Sequence, residues 1–592
     1  MRQFHMWQVR LVVALVAVVG LQWGCGSDMK TEDSVDQLFA DYWDDRMQRN
    51  PEWATYQGDH RFDSLLADVS PAAIEAEREA LIRFGMRLQA LVDAGNADLR
   101  DLNVDLFARE IKNQLRDLEL RGYLMPLSQQ GGPHINFLEL TTFHPFATIV
   151  DCDNFVARLR AFPILIDQTI DNMRAGVAAG LVPARMIMEK ALSQIEAQIK
   201  EHPRQSPLAG GIDLIGDDVL DCQRARLTEE ILAAIGGDVI PAYARLAEFV
   251  RDEYIPACRD TIGCLALPDG RDRYEYLARR YTTTDTTPQE IFEIGRQEVA
   301  RIRSEMEAIK DSAGFAGTLR EFIAYLRTDP QFSYGTGDSL VDGFKTILGR
   351  MDERMPELFG RLPEARYDFR EIEPFRAEAA PDAYYYEAPQ DRSRPAYFYI
   401  NTYQPRQRPK YTMEALAYHE AVPGHHLQIA IQQELTDLPQ FRRQGGFTSF
   451  VEGWALYSER LPKEIGFYAD PYSEFGRLTF DAWRAVRLVV DPGIHYFGWT
   501  RDQAIEYFRE NTGLSDHNIE SEVDRYIAWP GQALAYKIGQ LKILELRAQA
   551  EETLGPRFDI RAFHDELLSD GALPLDLLEI KMNRWLATIA QD

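Results

Sequence analysis

The chain is short of basic residues: 65 lysines and arginines stand against 93 aspartates and glutamates, a formal charge of −28 over 592 residues. A phosphate backbone is bound through Lys and Arg and would be repelled by such a field, so nucleic acid is not expected as a partner. Low-complexity runs and internal repeats are absent, which argues against long disorder. The apolar run Leu11–Leu21 is too short to span a bilayer. Cysteine is scarce, with five residues in all. In an exported protein Cys152, Cys222, Cys258 and Cys264 could pair, Cys258 with Cys264 being the near pair. They could equally be buried small apolar residues, and spacing does not choose.

What is present begins at the N-terminus. Arg2 and Arg10 come without an acid before Arg10, the apolar run follows, and then Gly24-Cys25. That order reads as a secretory signal over 1–24, and the Gly-Cys ending resembles a bacterial lipoprotein cleavage site. On this reading Cys25 is lipidated and anchors an exported, envelope-side protein to the membrane through a tether at 25–33. The remainder, 34–592, is expected to be one two-lobed helical unit: 34–380 mainly helical, and 381–592 strands plus the site helices.

Helical periodicity covers Ser34–Arg49, the stretch from Ser70-Pro71 to Val92, Leu102–Leu120 and Asp153–Ala175. Thr287-Pro288-Gln289-Glu290 combines a cap, a first-turn proline and a capping-box glutamate, opening a helix to about Ala313. Helices also follow over Thr448–Leu461, Tyr472–Val490 and Gln503–Glu510. The loop Ser128–Phe137 breaks the periodicity, either lining a substrate cleft or carrying a solvated His134 on the surface. Around Tyr384–Tyr386 and Ala396–Thr402 the texture turns aromatic and β-branched, bounded by prolines, which predicts strands of a small sheet. An exposed edge there, with Tyr399 and Asn401 as substrate contacts, would let an extended peptide add as a further strand. Alternatively the strands only pack beneath the next helix.

That next helix carries His419-Glu420-Ala421-Val422-Pro423-Gly424-His425-His426, three of the chain's eleven histidines within eight residues. A metal-dependent hydrolase needs two imidazoles, a carboxylate ligand, an open position, and a second carboxylate to take a proton from water. A regular helix would not bring these histidines to one ion. Six residues advance about 600°, which turns His425 to another face, and seven carry His426 about 10.5 Å along the axis. Pro423 lacks an N–H and its ring collides with the carbonyl of His419, so a bulge is expected over Ala421–Pro423, with Gly424 supplying backbone freedom. The bulge would return His425 to His419, leaving His426 as the alternative ligand. Glu420 is the expected base, Glu452 the third ligand, and Glu459 a carboxylate that could orient a ligand histidine.

The strings HEAVPGHHLQ, FVEGWALY and VDPGIHYFGWT closely resemble the bacterial family called domain of unknown function 885, a likeness spanning nearly the whole mature chain. This family is placed among the gluzincin metallopeptidases, similar to the thimet oligopeptidase, angiotensin-converting enzyme and carboxypeptidase Taq families. The resemblance implies a mainly α, two-lobed gluzincin-like fold with a small β-sheet beside the metal helix. It implies zinc held by His419, His425 and Glu452, with Glu420 as the base. His495 and Tyr536 resemble positions from which related peptidases stabilise the oxyanion. Arg484 and Arg487 are candidates for binding a peptide's terminal carboxylate, or else form a salt-bridged helix face.

The expectation is therefore an exported zinc peptidase acting on short peptides. A metal-dependent amidase with another amide substrate, and a peptide-binding lipoprotein without catalysis, are the competing expectations.

Overall fold

Side-chain caps decide where the helices start. In the computed structural model, which describes residues 34–373, 377, 380–389, 392 and 394–591, Ser34 and Ser70 accept from the amides of Gln37 and Ala73. These caps open helices Val35–Arg49 and Pro71–Asp93. Thr287 and Thr500 close reciprocal boxes with Glu290 and Gln503. One box escaped the periodicity: Thr148 pairs with Asp151, so the helix expected from Asp153 spans Ile149–Ala178 and carries Pro163 inside it. The signal, tether and Cys25 expectations fall on 1–33, outside the described residues.

The chain divides into two compact units. The first ends at Thr261 and takes in Pro439–Phe441. It is helical, with a core of residues such as Phe155, Phe162, Ile166, Met188, Ile231 and Tyr243. Arg158, fully buried, ties its N-terminal turns together by donating to the carbonyls of Pro51, Phe62 and Leu65 and to Thr55. His134 is not a solvated loop residue: a short helix, Pro133–Asn136, buries it, and burial pushes its imidazole down to about 4.

The second unit holds Ile262–Leu438 and Arg442 onward. Its helices used below are α1 (Pro288–Ser312), α2 (Lys410–Glu420), α3 (His425–Gln433), α4 (Thr448–Ser458), α5 (Pro471–His495), α6 (Asp516–Ala528) and α7 (Ala535–Leu554). Every residue from Ser473 to His495 except Trp483 is buried, so α5 is the axis of this unit. Charges enclosed there are matched: Lys537 of α7 meets Asp481 of α5 at 2.5 Å and Glu298 of α1 at 3.0 Å.

Two crossings bring backbone against backbone. A Cβ on Gly476 of α5 would lie 1.7 Å from the Tyr411 carbonyl oxygen of α2. One on Gly453 of α4 would lie 2.5 Å from Cα of Gly539 of α7. Only glycine permits either approach.

The sheet has three strands, β1 (Tyr367–Glu371), β2 (Ala383–Tyr386) and β3 (Ala396–Ile400), in the order β1-β3-β2. β3 pairs parallel with β1 and antiparallel with β2. It is therefore the central strand, and the edge expected at Ala396–Thr402 is not there. Among the described residues no helix is long and apolar enough to cross a membrane. No disulfide joins Cys152, Cys222, Cys258 and Cys264, and all but Cys222 are buried.

Candidate metal centre

Between His419 and His425 the helix breaks outright instead of bulging. α2 stops at Glu420, Ala421 and Gly424 take non-helical backbone (ψ −104° and −126°), and α3 starts at His425. The Val422–Pro423 peptide is cis. A Cβ on Gly424 would fall 1.9 Å from the His419 carbonyl oxygen, so the two helix ends meet at a distance that only glycine allows. The carbonyl of Pro423, freed by the break, accepts from the Trp454 indole at 2.9 Å and the Ser458 hydroxyl at 3.1 Å. These two bonds fasten α4, and Glu452 with it, to the break.

The result is convergence. Nε2 of His419 and Nε2 of His425 lie 3.6 and 3.5 Å from the same oxygen, Oε2 of Glu452. Both distances exceed a hydrogen bond, and that oxygen is buried without a hydrogen-bond partner. The rings stand nearly perpendicular, at 88°. His419, Glu420 and His425 each offer a ligand atom within 4.8 Å of the others'. Side-chain exposure is 3% for His419, 11% for His425 and 19% for Glu452, so the cluster is largely enclosed.

Electrostatics follow from three carboxylates around two rings. Nδ1 of His419 is 2.8 Å from Oε1 of Glu459. Burial pushes the His419 imidazole down, but Glu452, Glu459 and Glu420 outweigh it and hold it up at about 9. Burial pushes the Glu452 carboxyl up, and the two histidines overcome this and hold it well below the usual range. One oxygen of Glu420 accepts the backbone N–H of Tyr385, on edge strand β2, at 3.0 Å.

His426 is not brought to this point. Its Nδ1 accepts from the Tyr385 hydroxyl at 3.2 Å and its Nε2 donates to the Ala365 carbonyl at 3.1 Å. Burial takes it down to about 4, in keeping with a neutral ring bonded at both nitrogens.

Tyr536 lies against Arg487, whose Cζ is 4.3 Å from its ring centroid, and burial and then the Glu452 charge raise its phenol, so it stays a donor. His495 is fully buried and both nitrogens are engaged, Nδ1 accepting from the Cys264 amide and Nε2 donating to the Tyr526 carbonyl. It pins α5 and cannot serve an oxyanion. Asn401 is also fully buried, donating to the carbonyls of Ala377, Ala380 and Pro381. Tyr399 stacks on Tyr384 at 4.7 Å within the sheet. Neither is placed as a substrate contact. Tyr385, Trp454 and Ser458 complete the centre through their bonds to Glu420 and Pro423, and the last two sit inside the FVEGWALYS string with Glu452.

The family described as "Bacterial protein of unknown function (DUF885)" matches residues 51–582. A candidate lipoprotein from Colwellia psychrerythraea, solved by crystallography, is 29% identical. It covers 93% of this chain and 98% of its own at a TM-score of 0.86. A candidate lipoprotein of unknown function from Shewanella oneidensis shares the fold at 19% identity and a TM-score of 0.71, covering 93% of this chain and 100% of its own. No functionally curated protein matches the chain.

Proposed function

The chain belongs to the bacterial family DUF885, and from its site we propose that it is an exported, lipid-anchored metal-dependent hydrolase of short peptides with a gluzincin-type centre. The observation that carries this reading is the convergence of His419 Nε2 and His425 Nε2 on the unpartnered Oε2 of Glu452. Zinc bonds of about 2.1 Å in tetrahedral array set ligand atoms about 3.4 Å apart, so the 3.5 and 3.6 Å separations suit one shared ion. His419, His425 and Glu452 would hold it, with Glu459 fixing the His419 ring from behind. When bound, such an ion supplies Lewis acidity toward a carbonyl oxygen and toward water.

The chain's own residues divide the remaining work. Glu420, one oxygen held by the Tyr385 amide, is positioned to take a proton from attacking water and return it to the leaving amine. Tyr536, kept protonated, donates to the developing oxyanion. The description of the Colwellia psychrerythraea relative as a candidate lipoprotein supports lipid anchoring, for which Cys25 is the residue we propose.

The test is metal content together with cleavage of a mixed peptide library by wild type and Glu420→Gln. We expect one ion per chain in both and cleavage by wild type alone. A metal-free protein that resists loading, or equal cleavage by both, overturns the reading; metal without peptide cleavage turns attention to other amides.

A further inference from the structure

Trp483 has a guanidinium against its indole from each of two arginines one turn apart on α5. Cζ of Arg484 lies 4.5 Å and Cζ of Arg487 4.7 Å from the ring centroid. Both arginines are buried, at 5% and 3% exposure. A buried cation is retained when anions and acceptors meet its N–H groups, and here they do not suffice. Arg487 donates through Nε to the Tyr526 hydroxyl at 2.9 Å and through Nη2 to Glu522 at 3.1 Å. Its Nη1 makes no hydrogen bond. Arg484 has Nη2 3.6 Å from Oε1 of Glu459, and its Nε and Nη1 make none.

The nearby anions are oversubscribed. Glu522 also accepts from Arg525, Tyr526 and Trp483. Oε1 of Glu459 already faces Nδ1 of His419. Three guanidinium groups, Arg484, Arg487 and Arg525, thus share two carboxylates, and N–H groups of Arg484 and Arg487 are left buried without an acceptor. They lie towards the candidate centre: Cζ of Arg487 is 4.3 Å from the ring centroid of Tyr536. From the other side Arg484 reaches the carboxylate behind His419.

We propose that Arg487, with Arg484, receives the free C-terminal carboxylate of a peptide substrate, making the enzyme one that trims peptides from the carboxyl end instead of cutting them internally. This rests on the peptidase reading for its substrate. A single carboxylate brings an anion to the two guanidinium groups and accepts from their unpartnered N–H groups, whereas an internal peptide carbonyl brings no charge. A guanidinium also keeps its proton at every working pH, so recognition does not titrate.

The experiment compares N-acetylated peptides that end in a free acid with the same peptides ending in an amide. Cleavage is followed by mass spectrometry, and calorimetry measures binding of an N-acetyl amino acid against its amide. In the wild type the acid should be favoured by about 10- to 100-fold, the range expected for hydrogen bonds to a charged group, with products released from the carboxyl end. Arg487→Gln should abolish the preference, and Arg487→Lys should restore part of it. A purely structural role would weaken cleavage of acid and amide alike. Should Arg487→Gln not fold, Arg484→Gln carries the comparison, since Arg484 makes only one long contact. Equal rates and equal binding for acid and amide overturn the proposal. Preferential binding of the acid without any cleavage upholds the carboxylate site and overturns the peptidase reading; neither binding nor cleavage overturns both.

Discussion

Oε1 of Glu459 stands 2.8 Å from Nδ1 of His419 while Glu452, seven residues earlier, faces the other nitrogen of the same ring. One helix and its cap thus hold a histidine from both ends. Glu459→Gln keeps the shape and removes the charge behind the ring. Zinc affinity, measured by competition with a chelating dye, should fall by about 10- to 100-fold with the far-ultraviolet circular dichroism unchanged. Unaltered affinity would mean that the ring is oriented by packing alone.

Gly424→Ala should be among the most damaging single-methyl changes in the chain. The added carbon would sit 1.9 Å from the His419 carbonyl oxygen, and its neighbours there are backbone atoms that cannot rotate away. We expect a loss of about 3 kcal/mol or more in denaturant titrations, with metal binding lost first because the break places His425.

Tyr536→Phe removes one hydroxyl. If that hydroxyl meets the oxyanion, kcat should fall by about 100-fold with KM little changed, since the interaction is made only in the transition state. A rise in KM at constant kcat would assign Tyr536 to substrate binding instead.

Asp491 gives a pH dependence whose sign can be worked out. Its hydrogen-bond partners are neutral, the Tyr274 hydroxyl at 2.5 Å and the Gly531 amide at 3.1 Å, and burial pushes its carboxyl from 3.8 up to about 7. The fold therefore holds a proton that the unfolded chain gives up. The associated stability is fully present below about pH 3.8 and is lost as pH rises through about 7. Asp491→Asn lacks this loss, so its melting temperature relative to wild type should climb by several degrees between about pH 5 and about pH 8. A constant difference across that range would refute the assignment.

Much of the second unit was legible because its signals are local. Capping boxes at Thr287 and Thr500 fix helix starts within the chain's own first turn, and Pro423-Gly424 announced an interruption. The interruption's form was not legible, because a break needs partners far along the chain: Trp454 and Ser458 hold the Pro423 carbonyl. The choice of His425 over His426 rests on the same distant matter, since Tyr385 and Ala365 claim His426. Strand β1, read Tyr-Asp-Phe-Arg-Glu, has too few β-formers to be seen alone, and without it β3 looked like an edge. His495 looked functional because it resembles an oxyanion-binding position of related peptidases, and Asn401 because it ends an expected edge strand, yet each satisfies backbone groups that the fold has buried.

The Gly453–Gly539 crossing has a consequence for how the centre behaves under load. Two main chains in contact have no rotamers to exchange, so the joint that carries Glu452 has no side-chain repacking by which to shift. Glu420, at the end of α2, is tied instead to a sheet edge by one amide of Tyr385, a bond that a local movement of that edge can break.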